Sequence, residues 1–148
     1  LVTTPLIQNN IALLNRQAVL KNIVITDNTP TDARIFADHD HFDFIIRNLL
    51  SNAIKFTYND GHIDIKANRA DDEMIYSVTD TGIGISPEQQ HAFRETSLHV
   101  QFGTRGEKGS GLGLLLIKEF MKANNGRVWL EIMEGKGTTF YVSFPGFK

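Results

Sequence analysis

Four glycines, Gly106, Gly109, Gly111 and Gly113, crowd into eight residues of the stretch GEKGSGLGLLLIKEF, with Gly103 just upstream. The apolar helical pattern of Leu112, Leu114, Leu115, Ile117 and Phe120 begins inside the cluster. Glycine costs entropy in ordered backbone, so a cluster at a helix start calls for a use. Free N–H groups and the helix dipole favour an anion there, and missing side chains let a phosphate chain lie against the backbone. A second candidate is the helix HFDFIIRNLLSNAIKF (41–56). At 100° per residue, Asn48, Asn52 and Lys55 fall within roughly 60° of one another. Phe42, Ile46, Leu49, Leu50 and Ala53 occupy the other side. A solvated polar face is the plain reading, but asparagine is a mediocre helix former. Two amides and an ammonium on one stripe suit Mg2+ and phosphate oxygens. The third candidate is TDTGIGIS (79–86), where Asp80 ends an apolar strand and precedes Gly82 and Gly84. A carboxylate only accepts hydrogen bonds, so Asp80 suits a ligand amine. A simple tight turn is the alternative, since Asp and Gly favour one.

Rival motifs fail on spacing or context. The G-x-x-x-x-G-K-[ST] loop is absent. A dinucleotide-binding G-x-G-x-x-G should follow a strand early in a βαβ unit, whereas these glycines follow an irregular loop late in the chain. An aspartic protease needs two D-T-G aspartates, and only one occurs.

The elements that must position these residues follow from periodicity. Residues 5–20 place Leu6, Ile7, Ile11, Leu14 and Ala18 near one helical face, with Pro5 suited to the first turn. NIVIT (22–26) and RIFA (34–37) predict strands. Asp38 can cap the long helix that runs to about Phe56. Residues 61–70 alternate as a half-buried strand through Ile63, Ile65 and Ala67, and residues 73–80 form another. Ser86-Pro87-Glu88 starts a short helix to about Phe93. Residues 95–109 lack a period and read as a long functional loop. A helix spans about 111–124 and stops at Gly126 as its cap. RVWLEIM and TTFYVSF, joined by EGKG, form a closing hairpin. This order is α+β, not regular βαβ alternation.

At 148 residues the chain fits one domain. Its net charge of -2 gives no electrostatic case for nucleic acid or an anionic membrane. No cysteine is present, which removes disulfides, thiolate metal sites and a cysteine nucleophile. The first residue is Leu, and the chain reads as a piece of something longer.

Taken in order, RNLLSNAIKF, DTGIGI and GEKGSGLGL resemble the N, G1 and G2 boxes of sensor histidine kinases, and GKGTTF (135–140) resembles the small closing G3-type motif. The chain is similar to the catalytic ATP-binding domain of a two-component sensor kinase, within the GHKL ATPase superfamily. The resemblance implies a two-layer α/β sandwich, its mixed, mostly antiparallel sheet covered on one face by three helices. It makes residues 1–148 one catalytic domain with an ATP lid at about 95–109. It implies ATP and Mg2+ as cofactors, with Asn52 as the Mg2+ ligand, Lys55 on the phosphates and Asn48 on the metal side. Asp80 would accept from the adenine amine, and Gly82 and Gly84 would let the base lie close. Gly109, Ser110, Gly111, Leu112 and Gly113 would wrap the triphosphate. Phe56, Ile85 and Thr139 would also line the nucleotide. Thr104, Arg105 and Lys108 are alternatives for the γ-phosphate.

The F box is irregular, with Phe93 as its first aromatic. None of the histidines at 39, 41, 62, 91 and 99 stands in a phosphoacceptor context, so ordinary surface or packing roles are expected of them. The expected partners are therefore an upstream histidine-bearing dimerisation hairpin of the same protein and a response-regulator receiver domain. The fragment itself is expected to be monomeric and cytoplasmic, its parent anchored in the inner membrane or not. Hydrolytic and serine-kinase relatives carry a Glu one turn before the metal Asn, where it acts as a base. Here that position is Asn48, which favours the histidine-kinase branch over a GHKL ATPase, an anti-sigma-type kinase or an inactive scaffold.

Overall fold

A computed structural model describes residues 1–82, 101–102, 108–109, 112–133 and 137–146. The expected helix at 86–93, Gly84, Ile85, Ser110, Gly111 and most of the expected lid, including Thr104 and Arg105, lie outside them.

Helix α1 (Thr4–Leu20) carries Pro5 in its first turn and buries Leu6, Ile7, Asn10, Leu14 and Ala18. It closes on Asn22, left-handed at φ 54, with Asn22 N–H donating to Val19 O and Ile23 N–H to Ala18 O. This closure consumes Lys21 to Ile23. Strand β1 therefore runs Val24–Asn28, two residues later than the expected 22–26. The expected strand at 34–37 is not formed. Arg34 bridges Val2 and Ile35 bridges Gly146, one residue each. Its neighbours turn away at once, Thr4 into α1 and Asp38 into the cap of the next helix.

Helix α2 (His39–Phe56) starts where the Asp38 carboxylate accepts from His41 N–H at 2.9 Å. Strands β2 (His62–Ala70) and β3 (Glu73–Asp80) form a hairpin whose turn holds Asp71 at φ 53. The loop expected at 95–109 contains a two-residue antiparallel pair, β4 (Gln101–Phe102) with β5 (Lys108–Gly109). Strands this short leave no alternation in a sequence. Helix α3 (Leu112–Ala123) leads into the hairpin β6 (Arg127–Met133) and β7 (Gly137–Pro145). The left-handed residue that closes α3 is Asn125 at φ 58, not the expected Gly126. Gly126 is needed for space, because a Cβ there would lie 2.2 Å from Ser143 O.

The sheet has the order β1-β2-β3-β7-β6. Among the described strands only β1–β2 is a parallel pair, with α2 in the crossover between them. The register stacks the core in rows: Ala67, Tyr76 and Val142 in one, Ile65, Val78 and Phe140 in the next. Ile63, Asp80 and Thr138 form the row at the end. The three helices pack on this face, which is the two-layer α+β arrangement expected. The other face carries Thr79, Thr139, Trp129 and Tyr141, exposed or half-buried.

Candidate nucleotide site

Helix α2 buries Phe42, Ile45, Ile46, Leu49, Leu50, Ala53 and Ile54. That leaves Asn48, Asn52 and Lys55 as a half-buried stripe, as the helical angles require. The helix is tied to α1 by a shared network. Asn10 Nδ2 donates to Asp43, while Arg47 donates to both Asn10 and Asp43. Its N-terminal end is tied to the far end of α3. Asn124 accepts from Asp38 N–H at 2.8 Å and donates to Phe120 O at 2.6 Å, and its Nδ2 lies 3.0 Å from His41 Nδ1. The His41 ring stacks on Phe120 at 4.2 Å, the packing role expected of that histidine.

With α2 and α3 tied at that end, the N box and the glycine-rich motif meet at the other. Asn48 donates from Nδ2 to Phe44 O at 2.8 Å, and its Oδ1 faces Gly113 in the first turn of α3. A Cβ on residue 113 would lie 2.7 Å from that oxygen. Gly113 thus leaves room for the Asn48 amide against the first turn of α3. Gly109 and Leu112 fall at the end of β5 and the start of α3.

The third motif meets the N box at its C-terminal end. Gly82 lies against the Phe56 carbonyl, 2.0 Å from where its Cβ would be. Asp80 is only 6% exposed. It accepts from Gly82 N–H at 2.9 Å and from the backbone of Thr138. Burial pushes its carboxyl up to about 6, against the pull of those two N–H groups. Gly137 is left-handed at φ +124, and a Cβ there would meet Asp80 O at 2.0 Å. Both features demand glycine. Lys55 Nζ lies 5.5 Å from the Phe56 ring centroid, within cation–π range.

Thr139 does not join this group. Strand alternation puts it on the opposite face of the sheet, where its hydroxyl lies 3.0 Å from that of Thr79. The buried residue on Asp80's row is Thr138. Counting by twos from the apolar Phe140 would have found it. Among the described residues, no three or more His, Cys, Asp or Glu side chains gather as a metal site. A cation here would rest on amide oxygen together with ligand oxygens.

The model of the histidine kinase-, DNA gyrase B- and HSP90-like ATPase family matches residues 37–147. This chain belongs to that family. Among curated members of the family it is 41% identical over 118 residues to the circadian input-output histidine kinase CikA of Thermosynechococcus vestitus, covering 78% of this chain and 16% of that protein. The catalytic domain of histidine kinase ThkA, nucleotide-free, superposes with a TM-score of 0.84 at 26% identity, over 99% of this chain and 93% of that one. Full-length ShkA in complex with AMPPNP gives 0.79 at 30% identity, over 96% of this chain and 29% of that one. The chain therefore spans a small part of such whole kinases. Within this ATPase family its likeness is to histidine kinases, and it is a catalytic domain of that kind. No helix among its described residues is long and apolar enough to cross a membrane.

Proposed function

We propose that the chain binds Mg·ATP between α2, the end of β3 and the start of α3, and donates the γ-phosphoryl group to a histidine on a separate helical hairpin of the same protein. The observation that carries this reading is the buried Asp80 carboxylate. It stands at the end of the central strand, against the last turn of the helix that bears Asn48, Asn52 and Lys55. A desolvated acceptor held by two backbone N–H groups has an amine as its natural ligand, and adenine presents one where guanine presents a carbonyl. ATP bound there would supply a phosphoryl group to an imidazole nitrogen.

The chain's own residues would position and neutralise. Asp80 would hold the exocyclic amine, Lys55 would place a cation on the phosphates, and Asn52 would offer its amide oxygen to Mg2+. The first turn of α3, from Leu112 and Gly113, would present N–H groups to the phosphates. Asn48 would line the metal side. Its amide, donating to Phe44 O, is no base, so the acid–base group of the reaction would come with the acceptor histidine. Residues 1–148 would act as one catalytic domain in the cytoplasm, with a lid at about 95–109, a response-regulator receiver domain downstream and no nucleic-acid partner.

Calorimetric titration with ATP and GTP, each with and without Mg2+, tests the reading. Binding of ATP but not GTP, tighter with Mg2+, is expected. Equal binding of both nucleotides would refute the role of Asp80. Mixing the chain with the parent's histidine hairpin and Mg·ATP should yield acid-labile phosphate on the hairpin. Steady hydrolysis by the chain alone at ordinary enzyme rates would contradict the argument from Asn48.

A further inference from the structure

A helix leaves its last four carbonyls without partners inside the helix. In α2 these belong to Ala53, Ile54, Lys55 and Phe56. Thr57 Oγ1 donates to Ala53 O at 2.6 Å. Lys21 Nζ, from the end of α1, donates to Ile54 O at 2.9 Å and Lys55 O at 3.0 Å, and also to Thr57 O at 3.1 Å. The remaining carbonyl, of Phe56, packs against Gly82. Lys21 is only 5% exposed, and lysine is rarely so buried without partners. Its backbone is fixed as well. Its N–H donates to Ala18 O, its carbonyl accepts from Asp60 N–H, and Asn22 beyond it donates through Nδ2 to Asp60. A cation at a helix C-terminus also complements the dipole.

We infer that Lys21 is a positioning residue for the nucleotide site, acting through the last turn of α2. It holds the backbone carbonyl of Lys55, the residue assigned to the phosphates, and fixes the turn that sets Phe56 against Gly82. This rests on the reading of the pocket as an ATP site. The effect has a direction. Asp80 has anchors of its own in the sheet, paired with Ile63 on one side and Thr138 on the other. Lys55 sits in the final turn, which Lys21 ties down. Loss of the ammonium therefore loosens the phosphate contact more than the adenine contact.

The test compares the 148-residue chain with Lys21→Met, which keeps the apolar stem without donors, and Lys21→Arg, which restores them. Each is titrated with Mg·ATP and with adenosine, well below its melting midpoint. Lys21→Met should weaken Mg·ATP by about tenfold or more and adenosine by less than about threefold, with Lys21→Arg recovering most of the loss. A purely structural lysine would lower the melting midpoint and leave both affinities at their wild-type values. That result, or equal weakening of both ligands, overturns the inference. If Lys21→Met does not fold, Lys21→Gln carries the same ATP-to-adenosine ratio, and an unchanged ratio is equally decisive. Failure of the wild-type chain to bind either ligand overturns the site reading itself, and the inference with it.

Discussion

Asp80→Asn separates what the carboxylate costs the fold from what it gives the site. Burial raises the Asp80 carboxyl from its ordinary 3.8 to about 6. A shift of about two units is worth about 3 kcal/mol between the two protonation states. The native state holds the proton more tightly than the unfolded chain, so the contribution of Asp80 to stability is most favourable below about 4. It falls as pH rises through the window up to about 6, and by neutral pH the full cost is present. Asparagine removes the ionisation but keeps one carbonyl oxygen for the two N–H donors, from Gly82 and Thr138. The lost acceptor costs about 1 kcal/mol, so the variant should gain about 1–2 kcal/mol at neutral pH. For a domain of this size that is about 2–8 °C. Thermal melts of both proteins across about pH 4 to 8 read this directly. The difference in midpoint should favour wild type or vanish near pH 4, swing toward the variant up to pH 6, and then level. The variant should at the same time bind ATP about 5- to 150-fold more weakly, since an amide N–H2 then faces the adenine amine. A difference in midpoint that does not change with pH would refute the burial argument. Unchanged ATP affinity would remove Asp80 from the site.

Gly82→Ala should destabilise the chain by about 3 kcal/mol or more, because its Cβ would fall 2.0 Å from the Phe56 carbonyl; a urea midpoint within error of wild type would refute that contact. Gly113→Ala should push α3 from Asn48 Oδ1, 2.7 Å from the new Cβ, and weaken Mg·ATP more than adenosine in the same calorimetric comparison. Asn124→Ala should cost about 2–3 kcal/mol by urea unfolding, because it strips two contacts between the ends of α2 and α3 and a third, to Phe120 O, within α3 itself; a loss below about 0.5 kcal/mol would show that the helices are held by packing alone.

What could be read from the sequence was whatever a local period or a local cap encodes. The apolar face of α2, its start at Asp38 and both long hairpins repeat every few residues, and the structure has them where expected. Contacts between distant elements leave no such trace. Gly82 and Gly113 looked like clearance for a ligand, yet each stands against a named atom of the protein, at Phe56 and Asn48, as Gly137 does at Asp80. The late start of β1 follows from a helix closure at Asn22 that resembles any polar turn in sequence. Nothing local in the sequence marks Lys21 for burial, because its carbonyl partners belong to a helix over thirty residues away. Thr138 was within reach, since the pleat alone assigns it to the face of Phe140, with Thr139 on the other.

The same geometry restricts how a ligand can lie. The carbonyls of the last turn of α2 are taken up by Lys21, Thr57 and the packing of Gly82, so the negative group at that end is the buried Asp80 carboxylate, while the first turn of α3 presents N–H groups and partial positive charge. Asp80 and Gly82 stand at the former, through the Phe56 contact, while Asn48 meets Gly113 at the latter. Asn48 lies eight residues before Phe56, which is about 12 Å along the helix. The groove therefore has a donor-seeking end and an anion-seeking end that far apart. An adenine nucleotide carries an amine at one end and phosphates at the other. Reversing it would press phosphates against the buried Asp80 carboxylate, where burial weakens the screening by water. Only one orientation is tolerable, and it is the one that brings the phosphates to the glycines of α3.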